Sequence, residues 1–466
     1  MTAPAAPSGA LAPAVPETVG PETIGPETIG QVHPMSAAHR RYAMGLLLGI
    51  YIINFLDRQV VNILAEPIKN DLHLADWQLG LMSGLAFALF YTFLGIPIAR
   101  MAERRSRPMI IGGAIAAWSG FTMLCGMAQN FVQLIVFRIG VGVGEAGCTP
   151  PAHSLITDYV PREKRASALA FYSMGTPLGA LLGLVLGGII ADAHGWRTAF
   201  MLAGAPGLVF ALLAMTTLRE PRNQLSAEMR RIHHANQATF GETLKFLTAK
   251  RTFWLIAFGA AIKAFIGYGH APFTASFFLR NHGEEIANLG AMFGLQSLGF
   301  LGLALGLMGG AAGAVSSFLG GAIADRYAKT DLRGYVAVPA IASLLGIPIF
   351  VCAMLAPSAA MALCILVLNG LLGSLWYGPV YATGQSIVPP HMRATASAIL
   401  LFIINLIGLG LGPLAVGLLS DYLSVGMGLG SADGVRWALI ISTLFGLVAF
   451  ALFWVARRTI REEMVS

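Results

Sequence analysis

The chain has 466 residues, of which 56% are hydrophobic and 11% charged, and its 30 Lys and Arg against 23 Asp and Glu give a formal net charge of +7. A water-facing surface of this size needs about 25% charged residues, so an ordinary soluble fold is excluded and lipid must be the solvent. The basic excess sits between apolar runs, which fits topology and contact with anionic lipid and argues against nucleic-acid binding.

Residues 1–39 are rich in Ala, Pro and Gly and carry three tandem pentads at 16–20, 21–25 and 26–30. They read as a disordered tail, and no basic segment with a short apolar core precedes Arg40 to suggest a cleaved signal peptide. Twelve apolar runs follow, at 42–64, 77–99, 109–128, 131–156, 166–191, 198–218, 252–279, 290–324, 335–355, 358–386, 394–419 and 435–456. Each is long enough to cross a hydrocarbon core of roughly 30 Å at about 1.5 Å per helical residue. The runs are continuous rather than alternating, which excludes a β-barrel. Cys125, Cys148, Cys352 and Cys364 lie inside them and read as packing residues.

The eighth run is long for one upright span. Loop charge decides how to divide it, because Lys and Arg stay on the cytoplasmic side. With twelve spans and an inside N-terminus, 23 of the 30 basic residues fall inside, four (Lys69, Arg197, Arg280 and Arg436) outside, and three within spans. A further span would move the last seven inside charges outside. One long eighth helix is therefore expected, with both termini cytoplasmic in the cell membrane.

The polar segment 219–251 separates a first half, 40–218, from a second, 252–457, and leaves a C-terminal tail at 458–466. The halves share motifs. Val160-Pro161 with Arg165-Ala166-Ser167-Ala168 matches Val388-Pro389 with Arg393-Ala394-Thr395-Ala396 at an offset of 228, and residues 99–104 match 321–326 at an offset of 222. Two such matches argue for duplication. The predicted fold is an all-α membrane protein with twelve transmembrane helices in two pseudo-symmetric six-helix halves, the architecture of an alternating-access transporter.

Gly321-x-x-x-Asp325-Arg326 after the eighth span and its counterpart Glu103-Arg104-x-Ser106-Arg107 after the second resemble the major facilitator superfamily over Arg40 to Arg461. Asn54-Phe55-Leu56-Asp57-Arg58 and Arg138-x-Gly140-x-Gly142-x-Gly144-Glu145-Ala146 resemble the spinster-like lipid transporters, and related organic-acid carriers share part of both. The resemblance implies a major facilitator fold and a cytoplasmic gate motif at Glu103, Arg104, Arg107, Asp158, Asp325 and Arg326. Glu103 for Asp, Ala99 for Gly, Pro108 for a basic residue and Ser386 opposite Asp158 depart from the family pattern. A gating role is therefore expected of the first-half network of Glu103, Arg104 and Asp158 ahead of a symmetric pair of networks.

Five ionisable groups lie inside spans: Asp57 and Arg58, Arg138 and Glu145, and Lys263. At about 2.5 to 3.5 kcal/mol or more each, such groups face a cavity and pair. Counted along their helices, Asp57 at roughly 22 Å from one face and Arg138 at roughly 10 Å from the other nearly meet, so an ion pair between them is expected. Glu145 follows two turns after Arg138 on the same helix face. Asp57 and Glu145 competing for Arg138 gives proton coupling, since the carboxylate without the cation is inclined to take a proton; the spinster-like resemblance implies the same three residues. The bland alternative is a permanent polar knot.

Arg58 and Lys263 are the candidates for an anionic headgroup. Asn54, Tyr268, His270, Asn369, Trp376 and Tyr377 are further substrate candidates, each with a packing alternative. Their scarcity among Phe, Met and Leu disfavours a sugar and suits a charged head with an acyl tail. Gly175, Gly179, Gly183 and Gly187 form a small-residue stripe for close helix approach. No phosphate loop for ATP and no HExxH or CxxC metal pattern is present. A lipid enzyme would rest on His153 near Asp158 or on His270 near Ser276, and a non-transporting receptor would not explain the duplication. The reading is a monomeric, cofactor-free, proton-linked secondary transporter of lysophospholipid or sphingosine-phosphate-like lipids, with small organic anions as the alternative.

Overall fold

The computed structural model describes residues 36–161, 164–221 and 240–464; the pentads and Arg162, Arg222, Arg230 and Arg231 lie outside them. The described residues form helices and no strands. The first membrane helices are α1 (Ala37–Leu72), α2 (Asp76–Ala102), α3 (Arg107–Cys125) and α4 (Phe131–Tyr159). Next comes a continuous helical stretch of 51 residues, Ser167–Thr217, which at about 1.5 Å per residue is more than twice a bilayer core. Gly195, at φ 82° and ψ 163°, folds it back. That conformation is open essentially only to glycine, so one helical stretch supplies two crossings, α5 (167–194) and α6 (196–217).

The second half holds α7 (Arg251–Met292), α8 (Ser297–Ala328), α9 (Gly334–Met354), α10 (Ala359–Ser386), α11 (Arg393–Gly426) and α12 (Gly430–Ala456). Twelve crossings result, as the loop charges required. The boundary of the eighth differs from the sequence reading. Residues 290–292 close α7, which bends at His282 and continues as a short outer helix, and α8 starts at Ser297. The remaining charge-free stretch is one helix, as expected, widened by a π-helical segment at Leu307–Ala312.

The start of α1 and the ends of α2, α4, α6, α8, α10 and α12 share one face, the terminal face; the opposite one is the outer face. The predicted glycine stripe packs α5 on α1: an added Cβ at Gly183 would stand 2.6 Å from the Leu56 carbonyl oxygen, and one at Gly175 would stand 2.7 Å from the Tyr51 ring. The other side of α5 meets α8, where Gly302 abuts the Leu184 carbonyl and Gly188 that of Leu298. A matching seam joins α2 to α11 through Gly80 against Pro413, Gly417 against Asp76, and Gly84, whose Cβ would lie 2.8 Å from the Gly410 carbonyl. These two seams bring the halves together toward the outer face.

The segment after α12 does not trail away. Its short helix Ile460–Glu463 docks on the terminal face, where Glu463 accepts from the backbone N–H of Arg251 (3.0 Å) and Thr252 (2.8 Å) at the start of α7.

Candidate functional site

The charged cluster is built by α1 and α4, sealed by α2 and α3. Gly142 and Gly144 explain the glycines of its motif: a Cβ at either would stand 2.6 Å from the Phe87 carbonyl or the Trp118 nitrogen. Without side chains there, α4 lies flat on its neighbours and its two ionisable groups are enclosed. Asp57 and Glu145 are 0% exposed and Arg138 2%.

Arg58 Nε donates to Glu145 Oε2 at 2.6 Å. Its guanidinium also lies over the rings of Tyr91, Phe87 and Phe55, at 4.5, 4.9 and 5.2 Å from their centroids. Asp57 Oδ2 accepts from Thr122 Oγ1 at 3.2 Å, while Oδ1 has no hydrogen-bond partner. Arg138 lies over the other side of the same arrangement, 5.3 Å from the Phe87 centroid, with Nε and Nη1 unpartnered. Asn54, 1% exposed, stands beside Glu145.

This arrangement corrects the expected pairing. Among the described residues no carboxylate lies within 4.0 Å of Arg138, and Glu145 is held by Arg58 instead. Axial depth brought Asp57 and Arg138 level, but depth says nothing about azimuth. The rings of Tyr91, Phe87 and Phe55 fix the planar guanidinium of Arg58 toward α4, a cradle that an ammonium would use less well. Arg58 therefore belongs to the acid–base cluster and not to the wall of the larger cavity.

That cavity, of about 310 Å³, lies near mid-depth and is lined chiefly by α7 to α10 and α12, with Gln59, Asn62, Ile63 and Leu184 from the first half. Lys263, His270 and Asn369 line it, together with Ser343, Thr443, Met308, Ile347 and Phe350. Lys263 has no carboxylate within 4.0 Å among the described residues. The His270 ring stacks on Phe350 at 4.5 Å, and its Nε2 is 2.9 Å from Ser442 Oγ, so Ser442 orients it. Trp376 and Tyr377 stack on each other at 4.0 Å, and Tyr268 turns toward a smaller void beside Arg58 and Arg138. Asn54, Tyr268, Trp376 and Tyr377 thus stand outside the lining of the large cavity.

The outer face is tied across the halves. Arg280 of α7 donates to Glu66 of α1 (Nη2, 2.7 Å) and to both oxygens of Asp76 of α2 (2.8 Å each). Lys69 adds 2.5 Å to Asp76, and Ser420 of α11 donates to it at 2.6 Å. Two carboxylates also cap helices of the opposite half. Asp421 of α11 accepts from the N–H groups of Asp76 (3.0 Å) and Trp77 (2.7 Å) at the start of α2, and Asp192 of α5 accepts from those of Leu298 (3.4 Å) and Gly299 (2.6 Å) at the start of α8. The two caps are related by the duplication: 421 less 192 is 229, and 298 less 76 is 222, almost the offsets of the sequence motifs. Exposed-edge caps of this kind contribute about 0.5–2 kcal/mol each. We expect Asp192→Ala and Asp421→Ala each to weaken outer closure by up to about tenfold, and the double variant to multiply the effects, read as the rate of outer-side labelling of a cysteine on the cavity wall.

At the terminal face the described polar ties run within one half. Arg107 pairs with Asp158 at 2.7 Å and with Glu220, and its Nη1 donates to Ser154 at 3.0 Å. Asp325 accepts from Tyr335 at 2.8 Å, and Arg326 is exposed. The helix of α2 runs on past Ala102 through Glu103 and Arg104, whose side chains lie outside the described ones. Asp158 was expected with Glu103 and Arg104; the partners described for it and its neighbours are Arg107 and Glu220. Sequence reasoning missed Glu220, Glu66, Asp76, Asp192, Arg280 and Asp421. The offset of 229 between the two capping aspartates was the available signal.

A duplicated twelve-helix bundle, with a mid-depth cavity and cross-half ties at one face, defines a secondary transporter rather than an enzyme. Residues 47–413 match the family model of the Major Facilitator Superfamily, and the chain belongs to that superfamily. It is 32% identical over 425 residues to an MFS-type efflux pump of Mycolicibacterium smegmatis, covering 91% of this chain and 94% of that one. It is 26% identical over 439 residues to protein spinster homolog 1 of Xenopus tropicalis, covering 91% and 82%. The solved structure of a bacterial homolog to the human lysosomal transporter Spinster, inward-facing and unoccupied, superposes with a TM-score of 0.80 at 32% identity, covering 93% of this chain and all of that one. Within the superfamily the chain is a transporter of spinster type.

Proposed function

We propose that this protein is a proton-linked transporter of amphipathic anions, of lysophospholipid or sphingosine-phosphate type, working by alternating access in the cell membrane with both termini cytoplasmic. The observation that carries the reading is Lys263, a cation without an acidic partner among the described residues, on the wall of an apolar-lined cavity of about 310 Å³. A volume of this order suits a headgroup and the first methylenes of a chain, and a phosphate supplies the charge that the ammonium lacks. The cross-half ties at the outer face support a state closed to the outside.

Coupling is assigned to Asp57, Arg138 and Glu145, with Arg58 added by the geometry. Two guanidiniums and two carboxylates are enclosed together, yet only the Arg58 to Glu145 bond is made. A proton on Glu145 releases Arg58 for a new partner, and a proton on Asp57 removes one of the two enclosed negative charges; either change favours a different arrangement of α1 against α4.

Uptake into proteoliposomes, comparing a lysophospholipid with a small carboxylate with and without a pH gradient, tests both parts. Gradient-stimulated lysolipid transport is expected, and transport of the carboxylate alone overturns the substrate assignment. Asp57→Asn and Glu145→Gln are each expected to abolish gradient stimulation; unchanged pH dependence in both overturns the coupling. Lys263→Gln is expected to raise the apparent KM for the lysolipid by about 10- to 100-fold, in line with losing a charged hydrogen bond of about 1.5–3 kcal/mol, while leaving the pH profile in place.

A further inference from the structure

The void beside the acid–base cluster has its own chemistry. It measures about 30 Å³ and is lined by Arg58, Arg138, Gln59, Asn62, Tyr268 and Phe87, among others. Both cluster guanidiniums reach it and no acidic side chain lines it. They flank one ring, Phe87, at 4.9 and 5.3 Å, so two like charges approach with nothing negative in the space they share. Arg58 has a counterion in Glu145, which lies outside the lining of the void, whereas Arg138 has none within 4.0 Å among the described residues and Asp57 accepts from Thr122.

Arg138 is the group in need. It is 2% exposed, and its Nε and Nη1 are buried without a hydrogen-bond partner. An enclosed cation in that condition is among the most costly arrangements a protein holds. Gln59 adds a donor to the wall. Asn62 Nδ2 donates to Gln59 Oε1 at 2.9 Å, so the acceptor of Gln59 is used and its amide NH₂ remains.

We propose that this void is a binding site for a small inorganic anion of chloride size, held by Arg138 and Arg58 with the Gln59 amide. A space of roughly 10–15 Å³ or more admits a water, so this one, at about 30 Å³, has room for a single halide. The site is separate from the large cavity, with which it shares Gln59, Asn62 and Ala271 as a common wall. It holds whether or not the cluster couples protons, because it rests on the charge and volume of this void and not on transport.

The purified full chain in chloride-free detergent buffer is titrated with sodium chloride or bromide against sodium gluconate at constant ionic strength, and its melting temperature is followed. A saturable rise with either halide, absent with gluconate, is expected below about 150 mM, as binding to the folded state requires. Asn62→Asp places a tethered carboxylate at the void and is expected to remove the halide response by at least fivefold; Arg138→Gln is expected to do the same. Crystals soaked in bromide are expected to show an anomalous peak against Arg138. Equal melting in gluconate and halide overturns the site, as does an undiminished response in Asn62→Asp or bromide found only elsewhere. Should Arg138→Gln fail to fold, Asn62→Asp and the anomalous map decide. Lysolipid uptake plays no part in these readouts, so failure here is distinguishable from failure of the transport reading.

Discussion

Arg280→Ala is expected to open the outer face and to reduce transport by two to three orders of magnitude. Arg280 bridges Glu66, 9% exposed, and Asp76, 1% exposed, and it is the cation that comes to both from the other half. Removing one partner of a buried ion pair costs about 3–5 kcal/mol, because the charge left behind is uncompensated. Asp76 keeps Lys69 and Ser420, so the uncompensated group is chiefly Glu66. The cost falls on the closed outer state alone, since that is where α7 meets α1 and α2; at about 1.4 kcal/mol per tenfold it shifts the population by roughly 10²- to 10³-fold. A cysteine placed at Ala271 is then expected to react with an impermeant reagent from the outer side, at a rate raised in proportion. Adding Glu66→Gln removes the orphaned charge and is expected to restore part of the protection. Unchanged labelling in Arg280→Ala would mean that the glycine seams alone hold the face shut.

That latch also shows what the sequence did and did not make legible. Span number, halves and the long eighth helix followed from apolar runs and loop charge, both one-dimensional properties. The break at Gly195 followed too, as the gap between the fifth and sixth runs. The start of α8 did not, because the turn at Phe293–Gln296 carries no charge and its neighbours are as apolar as a span. Asp57, Arg58, Arg138, Glu145 and Lys263 stood out because an ionisable residue inside an apolar run is rare. Their partners stayed hidden, since a helix position fixes depth while pairing also needs azimuth and the reach of an arginine. Arg280, Asp76 and Glu66 were hidden for a different reason. Glu66 and Asp76 lie near the ends of their helices and Arg280 just before the bend of α7 at His282, where charges are ordinary, and only the convergence of α1, α2 and α7 makes them a unit.

Arg58→Ala is expected to be the most damaging change at the centre of the first half. Glu145 is 0% exposed, and the 2.6 Å bond from Arg58 is its ion pair; deleting the cation leaves a carboxylate enclosed beside Asn54, at a cost of about 3–5 kcal/mol. Three ring contacts disappear with it, each contributing about 0.5–2 kcal/mol. The protein is expected to melt several degrees lower and to transport at less than about a hundredth of the parent rate. Arg58→Lys keeps the charge but not the planar face that lies over Tyr91, Phe87 and Phe55, and an intermediate loss is expected. The double variant Arg58→Ala with Glu145→Gln separates structure from work. Neutralising Glu145 removes the orphaned charge, so melting is expected to recover by a coupling of at least about 1.5 kcal/mol across the cycle, while stimulation by a pH gradient stays absent. Recovery of both would make the pair a permanent brace between α1 and α4. Recovery of stability alone assigns the same bond two duties, holding the helices together at rest and surrendering Glu145 to a proton in the cycle.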